Sequence, residues 1–265
     1  MKTKVQNFFS HRKNWSVPYL LFLAFFVLFP LLLIFYFGFT DAEGNFTLAN
    51  FRKFWMQPEA LNTFIYSVGV ALITTFLCLI LGYPAAFFLS RIPAKGARVL
   101  ILLFILPMWV NFLIRTLATV ALFDFLSIPL GESALYFGMV YNFLPFMIYP
   151  IYNTLIKIDP SLVEAAQDLG ASPSQVFVKT ILPLSLPGIT SGEMMVFMPV
   201  ISTFAIAELL TINNIKLFGT TLQENIYNGM WNYGAALSLI MLLLIGITAL
   251  LGSEGGAKTE EGGLL

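Results

Sequence analysis

The sequence predicts an all-α polytopic membrane protein with six transmembrane helices and a helical inner segment between the fourth and fifth. Of its 265 residues, 58% are hydrophobic and only 11% are charged, against about 25% charged in a soluble domain. The mean hydropathy is +0.84. A water-soluble fold of this length cannot bury so much apolar surface, so lipid must surround much of the chain.

Six apolar stretches are long enough to cross a hydrocarbon core about 30 Å thick, since a helix rises about 1.5 Å per residue. They lie at residues 17–39, 63–89, 99–120, 135–156, 185–207 and 233–252. The first is longer than the apolar core of a signal peptide, so we interpret it as a retained helix. Pro107 interrupts the third, whose far end could be re-entrant.

The distribution of Lys and Arg predicts that both termini are cytoplasmic. On that topology, ten basic residues fall in inner segments and four in outer ones. The chain then divides into a basic N-terminus at 1–16, a membrane domain at 17–252 and a tail at 253–265. The tail is rich in Gly and Glu, and we interpret it as flexible or as a cloning remnant.

Catalysis is the weakest interpretation of this sequence. The single cysteine, Cys78, lies in an apolar run, and the single histidine, His11, lies in the basic N-terminus. We find no Ser/His/Asp set, no metal-ligand cluster and no Gly-rich phosphate loop of the Gly-x-x-x-x-Gly-Lys-Ser/Thr type. We therefore predict a chain with no catalytic residue, metal or cofactor, no ATP site of its own and no nucleic-acid partner.

The longest inner loop, residues 157–183, has the signals of two short helices joined by a turn. Ser161 and Glu164 have the spacing of a capping box, which predicts a helix that begins at Ser161. Gly170 stands where a helix would end in the left-handed conformation. Ser172 begins a second pattern, with Pro at the first helical position and Gln three residues after the cap.

The second helix is expected to run to about Leu182 and to be stopped by Pro183. The apolar positions of the pair would form a stripe that docks a partner or rests on lipid headgroups. These positions are Leu162, Val163, Ala166, Leu169, Val176 and Phe177.

This loop also resembles a known motif. Glu164, Ala165, Ala166, then Gly170 and, after nine residues, Thr180-Ile181-Leu182-Pro183 are similar to the EAA motif of ABC importer permeases. The one departure is Thr180, where the family prefers Ile. The resemblance implies a coupling helix that docks on a cytoplasmic ATPase subunit through Glu164, Ala165, Ala166, Gly170 and Pro183.

The family resemblance implies partners as well. They are a second homologous permease subunit, two copies of the ATPase and an extracytoplasmic substrate-binding protein, assembled in a bacterial inner membrane. Residues 81–84, 104–115 and 144–159 are similar to the permeases of spermidine and putrescine importers. This narrower resemblance implies a polyamine substrate, although permeases for iron, sulfate and molybdate share much of the outline.

A polyamine is a flexible polycation, so its path should offer carboxylates, amide oxygens and aromatic faces. Glu193 is the main candidate, because an ionisable group inside a predicted span is costly and usually faces a polar interior. The other candidates are Trp109, Asn111, Asp124, Tyr141, Asn142 and Glu208; helix packing or interfacial solvation explains each of them equally well. Arg115 opposes a cation and is expected to pair with Asp124 or Glu132.

Two alternatives stay open. The chain could be an ABC permease for another solute, such as ferric iron. It could also be a secondary transporter or channel, but such carriers often show inverted repeats and several intramembrane charges, whereas this sequence shows one such charge and no repeat. A membrane scaffold would need neither Glu193 nor the inner loop.

Overall fold

The computed structural model describes residues 17–261, with side chains for residues 17–250. The predicted basic N-terminus, with His11, and residues 262–265 lie outside the described residues. In chain order the helices are α1 Val17–Gly38, α2 Ala49–Met56, α3 Pro58–Arg91, α4 Ala94–Trp109, α5 Phe112–Phe125, α6 Glu132–Leu155, α7 Pro160–Asp168, α8 Pro173–Ser202, α9 Ala205–Thr211, α10 Phe218–Tyr227 and α11 Trp231–Glu261.

The predicted all-α membrane fold is confirmed. Within residues 17–261, five helices are long and apolar enough to cross a membrane, namely α1, α3, α6, α8 and the part of α11 as far as Leu250. The count rises to six if α4 and α5 together form one broken span.

The third predicted span is not one straight helix, because α4 and α5 are bent by 95° at the break between them. The backbone is extended at Val110 and Asn111. Pro107 lies in a 3₁₀ turn just before the break, and the Asn111 side chain accepts a hydrogen bond from the Leu113 N–H, which starts a new helix. The interruption at Pro107 was expected, but the sharp corner three residues later was not.

The fifth predicted span, residues 185–207, also differs from the structure. Helix α8 begins earlier, at Pro173, and ends at Ser202, where Thr203 is extended before α9 begins. Gly219 packs against this break, since a Cβ there would lie 2.7 Å from the carbonyl oxygens of Ser202 and Thr203. The corner therefore depends on a contact from a residue distant in sequence.

The last helix is longer than the predicted span at 233–252. Its backbone is helical as far as Glu261, beyond the apolar part that ends at Leu250. The predicted tail therefore begins, in the structure, as a continuation of α11. That the tail is flexible or a cloning remnant stays a prediction.

The described chain divides into two compact units. The first comprises residues 17–58 and 224–242. In it, two asparagines satisfy carbonyls at the end of α1: Asn50 donates to Gly38 and Thr40, and Asn232 donates to Phe37, Thr40 and Asp41. The carbonyls that a helix end leaves without partners are thereby hydrogen-bonded.

The second unit comprises residues 59–223 and 243–261, and its core is an antiparallel pair, α6 and α8. Glycines on α8 let the two backbones approach closely, as in other membrane helix pairs. A Cβ at Gly188 would lie 2.9 Å from the Pro150 carbonyl oxygen, and one at Gly192 would lie 2.8 Å from Met147 Sδ. Met147 also meets Gly82 of α3, so three helices converge at this methionine.

Candidate functional site

The segment predicted to be cytoplasmic, residues 157–183 (the inner segment), begins with α7, whose start differs from the prediction. The cap is Asp159, not Ser161: the Asp159 carboxylate accepts a hydrogen bond of 2.9 Å from the Ser161 N–H. Pro160 occupies the first helical position, where its missing N–H costs nothing. The predicted cap at Ser161 was wrong because Asp159 and Pro160, two residues earlier, form a stronger signal for the start of a helix.

The hydrogen bond from Ser161 also changes the acidity of the Asp159 carboxyl group. Because the Ser161 N–H donates to the ionised form, this hydrogen bond holds the pKa of Asp159 below its usual value. The carboxylate also lies at the positive end of α7.

The predicted left-handed turn at Gly170 is confirmed, with φ at +81°. Two hydrogen bonds close a Schellman motif: the Gly170 N–H donates to Gln167 O at 2.8 Å, and the Ala171 N–H donates to Ala166 O at 3.1 Å. Ala166 is therefore part of the turn as well as of the helix.

The second start signal is also confirmed. Ser172 and Gln175 form a full capping box, with Pro173 at the first helical position. The expected stop at Pro183 is wrong, because the helix continues through a wide π turn at Phe177–Ile181 into the rest of α8. Pro183 has no N–H to donate to the carbonyl four residues earlier, and the π turn ends two residues before it.

The inner segment is anchored to α3 by Phe177. Its ring packs edge-on against Tyr83, at a centroid distance of 5.8 Å, and against Phe87, at 5.5 Å. About two turns further along α8, Ser185 Oγ donates to Leu182 O and lies 3.0 Å from the Tyr83 hydroxyl. A displacement of the inner segment would therefore be transmitted to both α3 and α8.

The predicted docking stripe splits into two faces. Val176 is buried and Phe177 is half-buried, so these two hold the segment in place and are not available to a partner. Leu162 is exposed, and 89% of Leu169, next to the turn, is exposed. Of the EAA-like residues, Glu164, Ala165, Gly170 and Pro183 are exposed and Ala166 is half-buried.

A cleft of about 410 Å³ lies beside α7. Glu164 and Gln167 line it on one side, and Ser90 and Arg91 line it at the end of α3. The Arg91 guanidinium lies 5.0 Å from the centre of the Phe87 ring. The exposed face of α7 thus adjoins a cleft that has one acidic and one basic side chain among mostly apolar lining residues.

Glu193 lines a second cavity, of about 480 Å³, within the second unit. Its walls come from α3, α8 and α11, and they contain none of the other predicted path residues. Three threonines missed by the sequence analysis join Glu193 there: Thr75, Thr190 and Thr248. Thr190 precedes Glu193 by one helical turn, so the sequence contained that signal; the other two come from distant helices.

Two predicted path residues lie at the corner between α4 and α5. Trp109 is 87% exposed. The Asn111 amide oxygen is engaged as the cap of α5, accepting from Leu113 at 2.8 Å. This bond uses one of the two lone pairs of the Asn111 amide oxygen, which leaves one to accept from a substrate.

Neighbours Tyr141 and Asn142 on α6 point in different directions. Tyr141 is exposed, whereas only 1% of Asn142 is exposed. Asn142 donates to Gly138 O at 2.8 Å, and its amide oxygen has no hydrogen-bond partner among the described residues. Asp124 is exposed and Glu208 half-buried.

Arg115 does not form the expected ion pair with Asp124 or Glu132. Its guanidinium lies 6.0 Å from the centre of the Tyr141 ring, and within the described part of the chain its Nε and Nη1 atoms are buried without hydrogen bonds. Glu132 instead accepts a hydrogen bond from the Tyr66 hydroxyl. The aromatic ring of Tyr141 thus takes the place of a carboxylate beside this cation.

Comparison with known proteins adds three findings. Residues 78–253 match the family described as "Binding-protein-dependent transport system inner membrane component". The chain is 35% identical to the spermidine/putrescine transport system permease protein PotB of Escherichia coli (strain K12), over 77% of this chain and 81% of that one. It is 34% identical to the PotB protein of Haemophilus influenzae, over 85% and 87%.

A solved structure shares the fold. It is a bacterial ABC transporter involved in the import of the acidic polysaccharide alginate, with a TM-score of 0.72 at 12% identity over 92% of this chain and 94% of that chain. At this identity the match supports the arrangement of helices and says nothing about the solute.

Proposed function

The chain belongs to the family of binding-protein-dependent transport system inner membrane components, and we propose that it is a permease subunit of an ATP-driven ABC importer for polyamines such as spermidine and putrescine. The polyamine substrate is supported by its similarity to the PotB proteins over most of both chains. The coupling role is supported by the structure of the inner segment from Asp159 to Pro183, in which a helix, a left-handed turn and a capping box follow one another.

In this proposal the exposed surface of α7 and its turn docks on the ATPase. Glu164, Ala165, Gly170 and the neighbouring Leu169 are exposed in one short stretch. The Schellman turn and the capping box make this stretch rigid. ATP-driven movement of the partner would then displace the segment as one piece, and Phe177 would pass the movement to α3.

Helix α8 joins the coupling and transport functions. It begins at the capping box, passes through the π turn and carries Glu193 further along. A rigid movement of this helix would therefore reposition Glu193 during alternating access. Trp109, Asn111, Asp124, Tyr141, Asn142 and Glu208 remain proposed path residues, with Asn142 able to contribute only through its unpartnered amide oxygen.

The proposed assembly contains a second homologous permease, two copies of a cytoplasmic ATPase and an extracytoplasmic binding protein. ATP hydrolysis is assigned to the ATPase subunits. The proposed location is the bacterial inner membrane, with both termini cytoplasmic, as the ten to four distribution of basic residues favours.

The test is uptake of radiolabelled spermidine in cells that lack this chain, with and without a restored copy. Putrescine, ferric iron and sulfate serve as competitors. We expect restored uptake that is blocked by putrescine alone. Ferric iron as the effective competitor would support the alternative of an iron permease, and absence of spermidine uptake from both strains would contradict the polyamine substrate.

The same cells distinguish the two classes of transporter. Uptake by an ABC importer should follow the cellular ATP level and survive collapse of the proton gradient when ATP is maintained. Uptake that fails with the gradient and ignores ATP would favour a secondary transporter.

A further inference from the structure

The cavity at Glu193 has an unusual chemical lining. Glu193 is its one charged lining residue, and the remaining polar lining comes from the three threonines. The other walls are apolar side chains: Leu72, Phe76, Leu79, Met194 and Phe197. A volume of about 480 Å³ lies within the range of about 300–1,000 Å³ that small-molecule sites occupy.

The threonine hydroxyls offer oxygens and not protons. Thr75 donates to Ala71 O at 2.7 Å, Thr190 to Pro187 O at 3.2 Å and Thr248 to Ile245 O at 2.8 Å. Each hydroxyl has one proton, which these bonds use, so its oxygen is left to accept.

Glu193 has no partner of its own. The side chain is half-buried, and no hydrogen bond or ion pair reaches its carboxylate from the described residues. An ionised carboxylate is also an acceptor only. The whole polar lining therefore calls for an occupant that carries donors and positive charge.

The apolar walls restrict that occupant further. Calcium and magnesium take six or more oxygen ligands or retain several waters, and a cavity with one carboxylate and mostly apolar walls suits neither ion. An alkyl ammonium fits both parts of the lining: its three N–H donors match the acceptors, and its methylene groups match the side chains of Leu72, Leu79 and Met194. The rings of Phe76 and Phe197 add surfaces that attract a cation.

We propose that this cavity binds one terminal aliphatic ammonium group of a polyamine, with Glu193 as its counter-ion and Thr75, Thr190 and Thr248 as hydrogen-bond acceptors. The identity of the ligand as a polyamine rests on the proposed function. The chemistry of the site, a carboxylate and hydroxyl oxygens among apolar side chains, rests on the lining alone.

Protection from a thiol reagent tests the site directly. Two single-cysteine variants are made after Cys78→Ala: Thr190→Cys, which lies in the cavity, and the neighbour Ser191→Cys, which is exposed and outside it. The two positions are well matched, because both native hydroxyls donate to Pro187 O. The chain is purified with its partner subunits in phosphatidylcholine nanodiscs and treated with N-ethylmaleimide.

We expect spermidine to slow modification of the Thr190→Cys thiol and to leave that of Ser191→Cys unchanged. Hexylamine should protect at higher concentration, and hexanol, which lacks the charge, should not protect. Adding Glu193→Gln should raise the protecting spermidine concentration about 10- to 100-fold, since a hydrogen bond to a charged group is lost. Glu193→Asp should retain part of the protection, and an unchanged Ser191→Cys rate in each background confirms that the fold is intact.

The outcomes separate this site from the proposed function. If cells carrying the chain import spermidine but spermidine gives no protection, the site is wrong and the importer proposal stands. If alkyl amines protect through Glu193 while spermidine uptake does not depend on the chain, the ammonium site stands and the polyamine substrate is wrong.

Two other occupants would also overturn the proposal. Protection by phosphatidylethanolamine in the nanodisc, without spermidine, would assign the cavity to a lipid headgroup. Protection that requires only assembly with the second permease, and not spermidine, would assign it to a basic side chain of that subunit.

Discussion

The turn at Gly170 provides a sharp test of coupling because Gly229 is a matched control. Gly170 has φ at +81° and Gly229 at +77°, and a Cβ at either position would meet no atom within 4 Å. Each closes a Schellman motif; at Gly229 the two bonds run to Ile226 O and, from Met230, to Asn225 O. An alanine therefore costs about 1–2 kcal/mol at either site, from the left-handed conformation alone.

Three substitutions at Gly170 should destabilise the turn by increasing amounts. Asn tolerates the left-handed conformation and should cost least. The cost for Ala corresponds to about a 5- to 30-fold loss in the population of the native turn. Pro should cost most, because its φ is fixed near about −65° and it lacks the N–H that donates to Gln167 O at 2.8 Å, worth about 1 kcal/mol more.

The assay combines transport with a local measurement. The complete importer in proteoliposomes reports spermidine transported per ATP hydrolysed, and hydrogen exchange of the peptide over residues 159–182 reports the stability of the turn. We expect transport per ATP to fall in the order Asn, Ala, Pro. Gly229→Ala should lose exchange protection at its own turn without a change in transport per ATP.

Two results would refute this reasoning. Normal transport by Gly170→Pro would remove the turn from the coupling mechanism. Equal loss of transport in Gly170→Ala and Gly229→Ala would show that the effect reflects general destabilisation and not coupling.

Two further predictions concern stability. Because the cap hydrogen bond lowers the Asp159 pKa, it stabilises α7 fully above the unfolded pKa, near 3.8, and this stabilisation is lost as pH falls through the lower folded value. Hydrogen exchange of α7, corrected for intrinsic rates, should show this loss. Asp159→Asn should remove the pH dependence while keeping a cap. Gly188→Ala should lower the unfolding temperature in detergent by several degrees, since a Cβ there would lie 2.6 Å from Thr154 Oγ1 and overpacking costs about 1–3 kcal/mol. Gly69→Ala, at a helical position with no atom within 4 Å, should be neutral or stabilising, and a drop as large as that of Gly188→Ala would contradict the packing argument.

Local signals made the inner segment largely predictable from sequence. Gly170 and the pair Ser172 and Gln175 act through backbone conformation and hydrogen bonds within four residues, and the structure places each as expected. The error at Ser161 came from two overlapping start signals, of which Asp159 with Pro160 is the one used. The composition was enough for the helical membrane fold, and the family match confirms the predicted class of permease.

Features set by distant contacts were not predictable. The corner after Ser202 is packed by Gly219, and the anchor at Phe177 needs Tyr83, nearly a hundred residues earlier in the chain. Periodicity cannot reveal such pairs, because it reports only which face of one helix is apolar. The same limit applies to the Glu193 cavity, where Thr75 and Thr248 are brought in by the fold alone.

The π turn at Phe177–Ile181 has a consequence for comparing helical faces along α8. A wide turn holds one residue more than an α-helical turn, and each residue advances a helix by about 100°. The capping box is therefore out of angular phase with the span that carries Glu193, and a single helical wheel drawn through both would put side chains on the wrong side. Deleting one residue, such as Val178, would restore that phase and turn the end of the helix at the capping box, next to the proposed docking surface, by about a quarter of a revolution.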